Sequence, residues 1–169
     1  MNLYDYHNEP ENLHGGIEQI DNVKLGLFQK VMPRVETFDA ILDSPVLSYR
    51  YALLINKGRF PEGEDVIAKS TDYSYKYAKE VLEGAFSEGE DAIAKDARYS
   101  YEYAYLVLGK KRFPKGEPAI AKDSRMANVY AQYIIKGRWK EGEKAIMSNG
   151  KDWYDYQEFL KEQEAELDY

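Results

Sequence analysis

The chain has 169 residues, with 30 acidic and 23 basic side chains, a net charge of −7 and no cysteine. This length suffices for one continuous hydrophobic core, and the lack of cysteine excludes disulfide staples and thiolate metal sites. No apolar run reaches the roughly 20 residues of a membrane span, and the polar N-terminus is unlike a signal peptide. We therefore expect a cytoplasmic protein that makes no contact with membranes.

The charge is distributed unevenly along the chain. Residues 1–47 and 151–169 each carry a net charge of −5, whereas residues 48–150 carry +3. One interpretation is that the acidic ends are solubilising caps of a repeat array. The other is that the basic middle presents a face to an anionic partner.

The N-terminal third is predicted to be a cap that precedes the repeats. Residues 1–16, with Pro10 and a Gly-Gly pair, are expected to be irregular. Residues 17–47 are expected to hold capping helices. Apolar residues at helical spacing predict an amphipathic helix over 17–31, and the match of Ile41 to the repeat below predicts a short degenerate helix over 36–42.

Residues 48–151 repeat with a period of 26 or 27 residues. A Tyr-Ala pair opens each copy, and an aromatic residue, a Gly-Glu pair and an isoleucine follow it. The Tyr-Ala pairs are Tyr51-Ala52, Tyr77-Ala78, Tyr103-Ala104 and Tyr130-Ala131, and the Gly-Glu pairs are Gly63-Glu64, Gly89-Glu90, Gly116-Glu117 and Gly142-Glu143. Self-similarity at a fixed period of this length is typical of a stacked repeat array.

Each copy is predicted to form two short helices. The first helices are expected at 48–57, 74–83, 100–108 and 127–136, and the second at 62–69, 88–95, 115–122 and 141–148. Gly58, Gly84, Gly109 and Gly137 are expected to end the first helices in the left-handed conformation that glycine tolerates. The third copy has one extra residue within 109–112, in the turn between its helices, where an insertion disturbs stacking least.

The array is predicted to stop near residue 151. Small residues occupy two columns of the first helices, which favours close approach of a neighbouring helix. The next members of these columns are Trp153 and Gln157, so residues 152–169 are predicted to be a capping helix, at 153–166, with an acidic tail. The predicted fold is therefore all-α: an α-solenoid of about four stacked two-helix repeats between N- and C-terminal capping helices.

The pattern Tyr-Ala…Gly-Arg-Phe-Pro-Glu-Gly-Glu…Ile resembles short helical repeats in proteins of tailed bacteriophages and large DNA viruses. The resemblance covers residues 48–148 and implies no catalytic residue. It suggests a viral protein that acts in the host cytoplasm on a host protein.

The four glutamates of the Gly-Glu pairs are interpreted as structural residues. A catalytic or metal site occurs once, whereas a residue that every copy repeats is what stacking demands. Within this interpretation we expect hydrogen bonds from tyrosine hydroxyls to these glutamates between neighbouring copies.

Two kinds of column are candidates for partner binding. Tyr49, Tyr75 and Tyr101 lie about 200° around the first helices from the core-facing tyrosines and should be less buried than these. They suit a protein interface or base stacking, or simply pack against a neighbouring helix.

The basic columns are Lys69, Lys95 and Lys122, and Arg59, Arg112 and Arg138, with Ala85 interrupting the arginines. They fit a phosphate backbone or a solvated face near helix ends.

No catalytic constellation is found. His7 and His14 are the only histidines, and no phosphate-binding glycine motif is present, so we expect no enzyme activity, no cofactor and no metal.

The leading hypothesis for the function is a repeat scaffold that binds a host protein. The alternatives are a nucleic-acid-binding solenoid that uses the basic and tyrosine columns, and an acidic nucleic-acid mimic. The oligomeric state is left open.

Overall fold

The computed structural model describes residues 22–167, with side-chain surroundings through residue 165, and all its regular structure there is helical. The predicted all-α class is therefore confirmed. In chain order the helices are α1 (22–31), α2 (Phe38–Leu42), α3 (Pro45–Tyr51), α4 (Pro61–Ile67), α5 (Thr71–Glu80), α6 (Glu90–Ile93), α7 (Ala97–Glu102), α8 (Glu117–Ile120), α9 (Ser124–Tyr130), α10 (Lys140–Ile146) and α11 (Gly150–Leu167). The predictions for residues 1–16 and for the start of the helix at 17 lie outside the described residues.

Helices α3 to α10 correspond to four copies of the repeat, two helices to a copy. We number these copies 1 to 4 from α3. The first helices of copies 1, 3 and 4 continue as a turn of π-helix, over Ala52–Asn56, Tyr103–Val107 and Ala131–Ile135, and a 3₁₀ turn, Ser87–Gly89, precedes α6. The second helices are shorter than predicted, because α6 and α8 have only four residues each.

The first helices begin three residues before the predicted positions. Ser44, Ser70, Asp96 and Asp123 each accept a hydrogen bond from the backbone N–H three residues further on. Such N-cap residues satisfy an N–H group that has no partner within the helix. The prediction followed the apolar face alone and missed these caps.

The prediction of left-handed glycines is wrong in three of the four copies. Lys57, Glu83 and Lys136 adopt this conformation, with φ of 52°, 49° and 58°, one residue before the glycine. The glycine N–H then donates a hydrogen bond to the carbonyl six residues earlier, as Gly58 N–H does to the Ala52 carbonyl at 3.2 Å. In copy 3, Gly109 and Lys110 are both left-handed, so the turn absorbs the extra residue of this copy.

The glycines of the Gly-Glu pairs are required by close packing. A Cβ atom on Gly89 would lie 2.4 Å from the Phe86 ring and 2.7 Å from Ser74 Cβ, and similar collisions occur at the other three glycines. The small column of the first helices therefore has the predicted role. Ser74 also donates a hydrogen bond to the carbonyl of Ile67 in the preceding copy, at 3.0 Å.

The core is a single row of aromatic and aliphatic side chains along the copies. Each first helix contacts the second helix of its own copy. It also contacts the next first helix along the chain, in the order α3, α5, α7, α9 and finally α11. Five tyrosines between 0% and 1% exposed form the centre of the row: Tyr51, Tyr77, Tyr103, Tyr130 and Tyr156. Tyr156 extends the column into α11, which the sequence comparison of the copies overlooked.

Candidate interaction surface

At each junction, the buried tyrosine of the following copy, or of α11, forms hydrogen bonds with the preceding copy. The Tyr77 hydroxyl accepts a hydrogen bond from the Phe60 N–H at 2.7 Å and donates one to Glu64 at 2.8 Å. The same pair of bonds is made by Tyr103, Tyr130 and Tyr156, with Phe86 and Glu90, Phe113 and Glu117, and Trp139 and Glu143. The predicted tyrosine–glutamate hydrogen bonds are confirmed. Burial raises the pKa of Tyr103 to about 12.

The three predicted arginines bind these glutamates. Arg112 Nε and Nη2 both lie 2.8 Å from the carboxylate oxygens of Glu117, and Arg59 and Arg138 pair in the same way with Glu64 and Glu143. These bidentate bonds hold the pKa of Glu117 and Glu143 below the ordinary value. More than half of each guanidinium side chain is exposed, but the carboxylate occupies its Nε–Nη2 edge and offsets its positive charge.

Copy 2 lacks this arginine, and a lysine of copy 3 replaces it. Lys115 Nζ lies 3.3 Å from Glu90 and 3.0 Å from Asp91. Lys115 occupies the position of the acidic residues Glu62 and Glu88 in copies 1 and 2. The two departures from the repeat, Ala85 and Lys115, therefore compensate each other across one junction. Both departures are visible in the sequence, but only the one at Ala85 entered the prediction.

The lysine row lies away from the arginine row. Lys69, Lys95 and Lys122 are exposed and follow the C-terminal ends of the second helices, and no ion pair to them is formed within residues 22–165. The arginines precede the N-terminal ends of α4, α8 and α10. For copy 1 this separates the two rows by the length of α4, about 10 Å, so they lie on different edges of the molecule.

The predicted tyrosine column is mostly covered. Tyr49 and Tyr75 are 8% and 5% exposed, slightly more than the core tyrosines, and their rings pack against Tyr73 and Tyr99 of the following copy at 5.6 and 5.2 Å. Burial, together with the hydrogen bond to Glu80, raises the pKa of Tyr49. Only Tyr101 is half-buried rather than buried. The rings of Tyr49 and Tyr75 therefore offer no open face to a base.

A different set of positions varies from one junction to the next. We call this set the outer row. At each junction it consists of the residue directly after the Tyr-Ala pair of one copy and the second residue after the Tyr-Ala pair of the next copy, or the equivalent residue of α11. Its members are Leu53 with Glu80, Lys79 with Leu106, Tyr105 with Tyr133, and Gln132 with Phe159. Leu53 and Glu80 line one shallow cleft, and Tyr105 and Tyr133 are in ring contact. The outer row thus presents a different chemistry at each junction.

The junction of copies 3 and 4 carries an aromatic cluster that we call the tyrosine patch: Tyr101, Tyr105 and Tyr133. Tyr105 lies between the other two, with ring centroids 5.7 Å from Tyr101 and 6.1 Å from Tyr133. Tyr133 is 47% exposed. Such a group of partly exposed tyrosines is typical of protein interfaces.

Basic side chains border the tyrosine patch. Lys110 Nζ lies 4.9 Å from the centre of the Tyr105 ring. Arg125, together with Tyr101, lines an open cleft of about 370 Å³, and in the same cleft Arg98 is paired with Glu102. Neither Lys110 nor Arg125 has an ion-pair partner within the described part of the chain. The patch therefore combines aromatic surface with uncompensated positive charge.

Among the described residues, no group of His, Cys, Asp and Glu side chains is arranged to hold a metal ion. No helix there is both long enough and apolar enough to cross a membrane. Comparison of the chain with protein-family models, curated proteins and solved structures finds no match.

Proposed function

We propose that the four copies form a short α-solenoid that acts as a non-enzymatic scaffold for binding a protein. The order of helix contacts supports this architecture, because each first helix contacts those of its neighbouring copies and its own second helix. In such an array, stacking constrains one side of each repeat and leaves an extended surface for recognition.

The tyrosine patch is the observation that carries the proposed function. Tyrosine contributes a large contact area with a polar end, and it is enriched among the residues that dominate binding energy. Lys110 and Arg125 add positive charge at its border. We therefore assign the patch to a protein partner that presents acidic residues beside an apolar or aromatic side chain.

The resemblance of the repeats to those of bacteriophages and large DNA viruses supports a host protein as this partner. A small scaffold without catalytic groups acts on such a partner by covering its surface. Interference with a host enzyme or a host defence is the biological role that follows from this proposal.

Affinity capture from bacterial lysate tests the proposal. The bait is the whole chain, and the matched baits are a Tyr105→Ala/Tyr133→Ala double variant and a Lys69→Ala/Lys95→Ala double variant. We expect a stoichiometric protein to be recovered by the wild type and the lysine variant and lost with the tyrosine variant. Equal recovery by all three baits, or none by the wild type, would count against the patch.

Nucleic-acid binding is the second candidate, and the exposed lysine row supports it. The arginines and two of the three tyrosines of that hypothesis are already engaged within the protein, which leaves Lys69, Lys95 and Lys122. Three cations on a single strand give a log–log salt dependence with a slope of about −2. Titration of single-stranded RNA at several salt concentrations measures this slope, and a Lys95→Ala variant should lower it by about one third.

A further inference from the structure

The last described helix exposes a tyrosine at a position that copies 1 and 2 bury. Tyr154 in α11 is equivalent in sequence to Tyr49 and Tyr75. Those two residues are 8% and 5% exposed, because the first helix of the following copy packs on them, whereas Tyr154 is 61% exposed. The edge of α11 thus keeps a residue suited to contact with a further helix.

The first described helix has an exposed apolar stripe at the opposite end of the array. Phe28 anchors α1 on the core against Tyr51, with ring centroids 5.5 Å apart. Val23, Leu27 and Val31 are four residues apart, so they share one face of the helix, and they are 66%, 46% and 56% exposed. Apolar side chains aligned in this way mark a surface that binds another element.

The two end helices carry opposite charges. Residues 22–31 contain Lys24 and Lys30 and no acidic residue, a net charge of +2. Gly150–Leu167 contains six acidic residues and two lysines, a net charge of −4. Complementary charge of this kind orients two surfaces and speeds their encounter.

We propose that copies of this chain associate head to tail, with the α11 edge around Tyr154 docked on the α1 stripe of the next molecule. The tyrosine ring packs on Val23, Leu27 and Val31, and acidic residues of α11 face the lysines of α1. Because the two surfaces differ, the contact is heterologous and each added molecule leaves both ends open. The assembly therefore grows into chains instead of closing as a symmetric dimer.

The contact is weak. Helix α1 is about 15 Å long, so the buried area falls at the low end for specific interfaces, where transient complexes are found. Association therefore depends on concentration in the micromolar to millimolar range. It also weakens as salt is added, since exposed charges are screened.

Sedimentation velocity on the whole chain, from micromolar to millimolar concentration, tests the proposal. The expected result is a weight-average mass that rises past that of two chains. A mass that stays at one chain throughout, or that stops at two, overturns it. Leu106→Asp is the matched control, because Leu106 is 52% exposed and lies in the middle of the array, and it should associate as the wild type does.

Two blocking variants make the test specific for head-to-tail contact. Leu27→Asp blocks the α1 stripe and Tyr154→Asp blocks the α11 edge, so each variant alone should remain at the mass of one chain. A mixture of the two retains one intact α11 edge and one intact stripe, and its mass should rise to that of two chains and stop there. Association of either variant alone, or none in the mixture, contradicts the proposal.

Folding of the variants is checked by circular dichroism. If Leu27→Asp is unfolded, Val31→Asp on the same stripe takes its place, and Tyr154→Arg likewise replaces Tyr154→Asp. Because none of these residues belongs to the tyrosine patch, failure of head-to-tail association leaves the proposed partner site untouched. Failure of partner capture leaves the association untouched in the same way.

Discussion

The inner junctions of this protein are nearly identical, whereas its outer row differs at every junction. Each inner junction joins a buried tyrosine to a backbone N–H and a glutamate of the preceding copy. The outer row changes from Leu53 with Glu80 to Tyr105 with Tyr133 within two copies. Stacking requires nearly the same contacts at each junction, so most of the variation lies on the surface, where we propose that a partner binds.

The largest effect is expected from removing a tyrosine ring at a central inner junction. Tyr103→Ala deletes a side chain that is 0% exposed and leaves a cavity, so it should cost about 3–5 kcal/mol of unfolding free energy. Urea denaturation followed by circular dichroism measures the loss. Tyr133→Ala in the outer row is the matched control and should change the value by only about 0.5 kcal/mol.

A smaller loss is expected where the two helices of a copy approach most closely. Gly89→Ala forces a methyl group against the Phe86 ring and Ser74, and overpacking of this kind costs about 1–3 kcal/mol. Gly58→Ala is the control, because no atom lies within 4 Å of the added Cβ. Similar losses of unfolding free energy in both variants would show that close packing of the two helices is not the reason for the glycine in each Gly-Glu pair.

Acid should weaken an inner junction through its glutamate. The pKa of Glu117 in the folded chain is lowered from 4.5, first by its hydrogen bonds to Arg112. Its contribution to stability is therefore complete above the unfolded-state pKa and is lost as the pH falls through the folded-state pKa. The difference in unfolding free energy between wild type and Glu117→Gln should shrink below pH 4.5. A difference that stays constant with pH would contradict this account.

The repeat pattern predicted the inner junctions well because each of their residues recurs. The tyrosine–glutamate bonds and the close approach at the Gly-Glu pairs both follow from that recurrence. Helix starts were missed because Ser70 and Asp96 are different residue types with the same capping role. The left-handed turns of copies 1, 2 and 4 were misplaced by one residue, because the apolar spacing does not show that the glycine N–H bonds the carbonyl six residues earlier.

The candidate surface was harder to predict, because burial depends on the neighbouring copy. Tyr49, Tyr75 and Tyr101 form one sequence column, yet only the last is half-buried. The arginine column fits a phosphate backbone by its sequence, but in the structure each arginine pairs with the glutamate five residues further on. The sequence shows that Leu53, Lys79 and Tyr105 form a column that varies between copies, but the ring contact of Tyr105 with Tyr133 depends on how neighbouring copies pack.

The most direct test compares one chemical change at two neighbouring residues. Tyr103→Phe removes the hydroxyl that binds Phe86 N–H and Glu90 at an inner junction, whereas Tyr105→Phe removes a hydroxyl with no hydrogen-bond partner among the described residues. Urea denaturation should show a loss of about 1–3 kcal/mol for Tyr103→Phe, because buried polar groups lose their partner. The loss for Tyr105→Phe should stay within about 0.5 kcal/mol. Equal losses, or a larger one for Tyr105→Phe, would contradict the division between a structural inside and a variable outside.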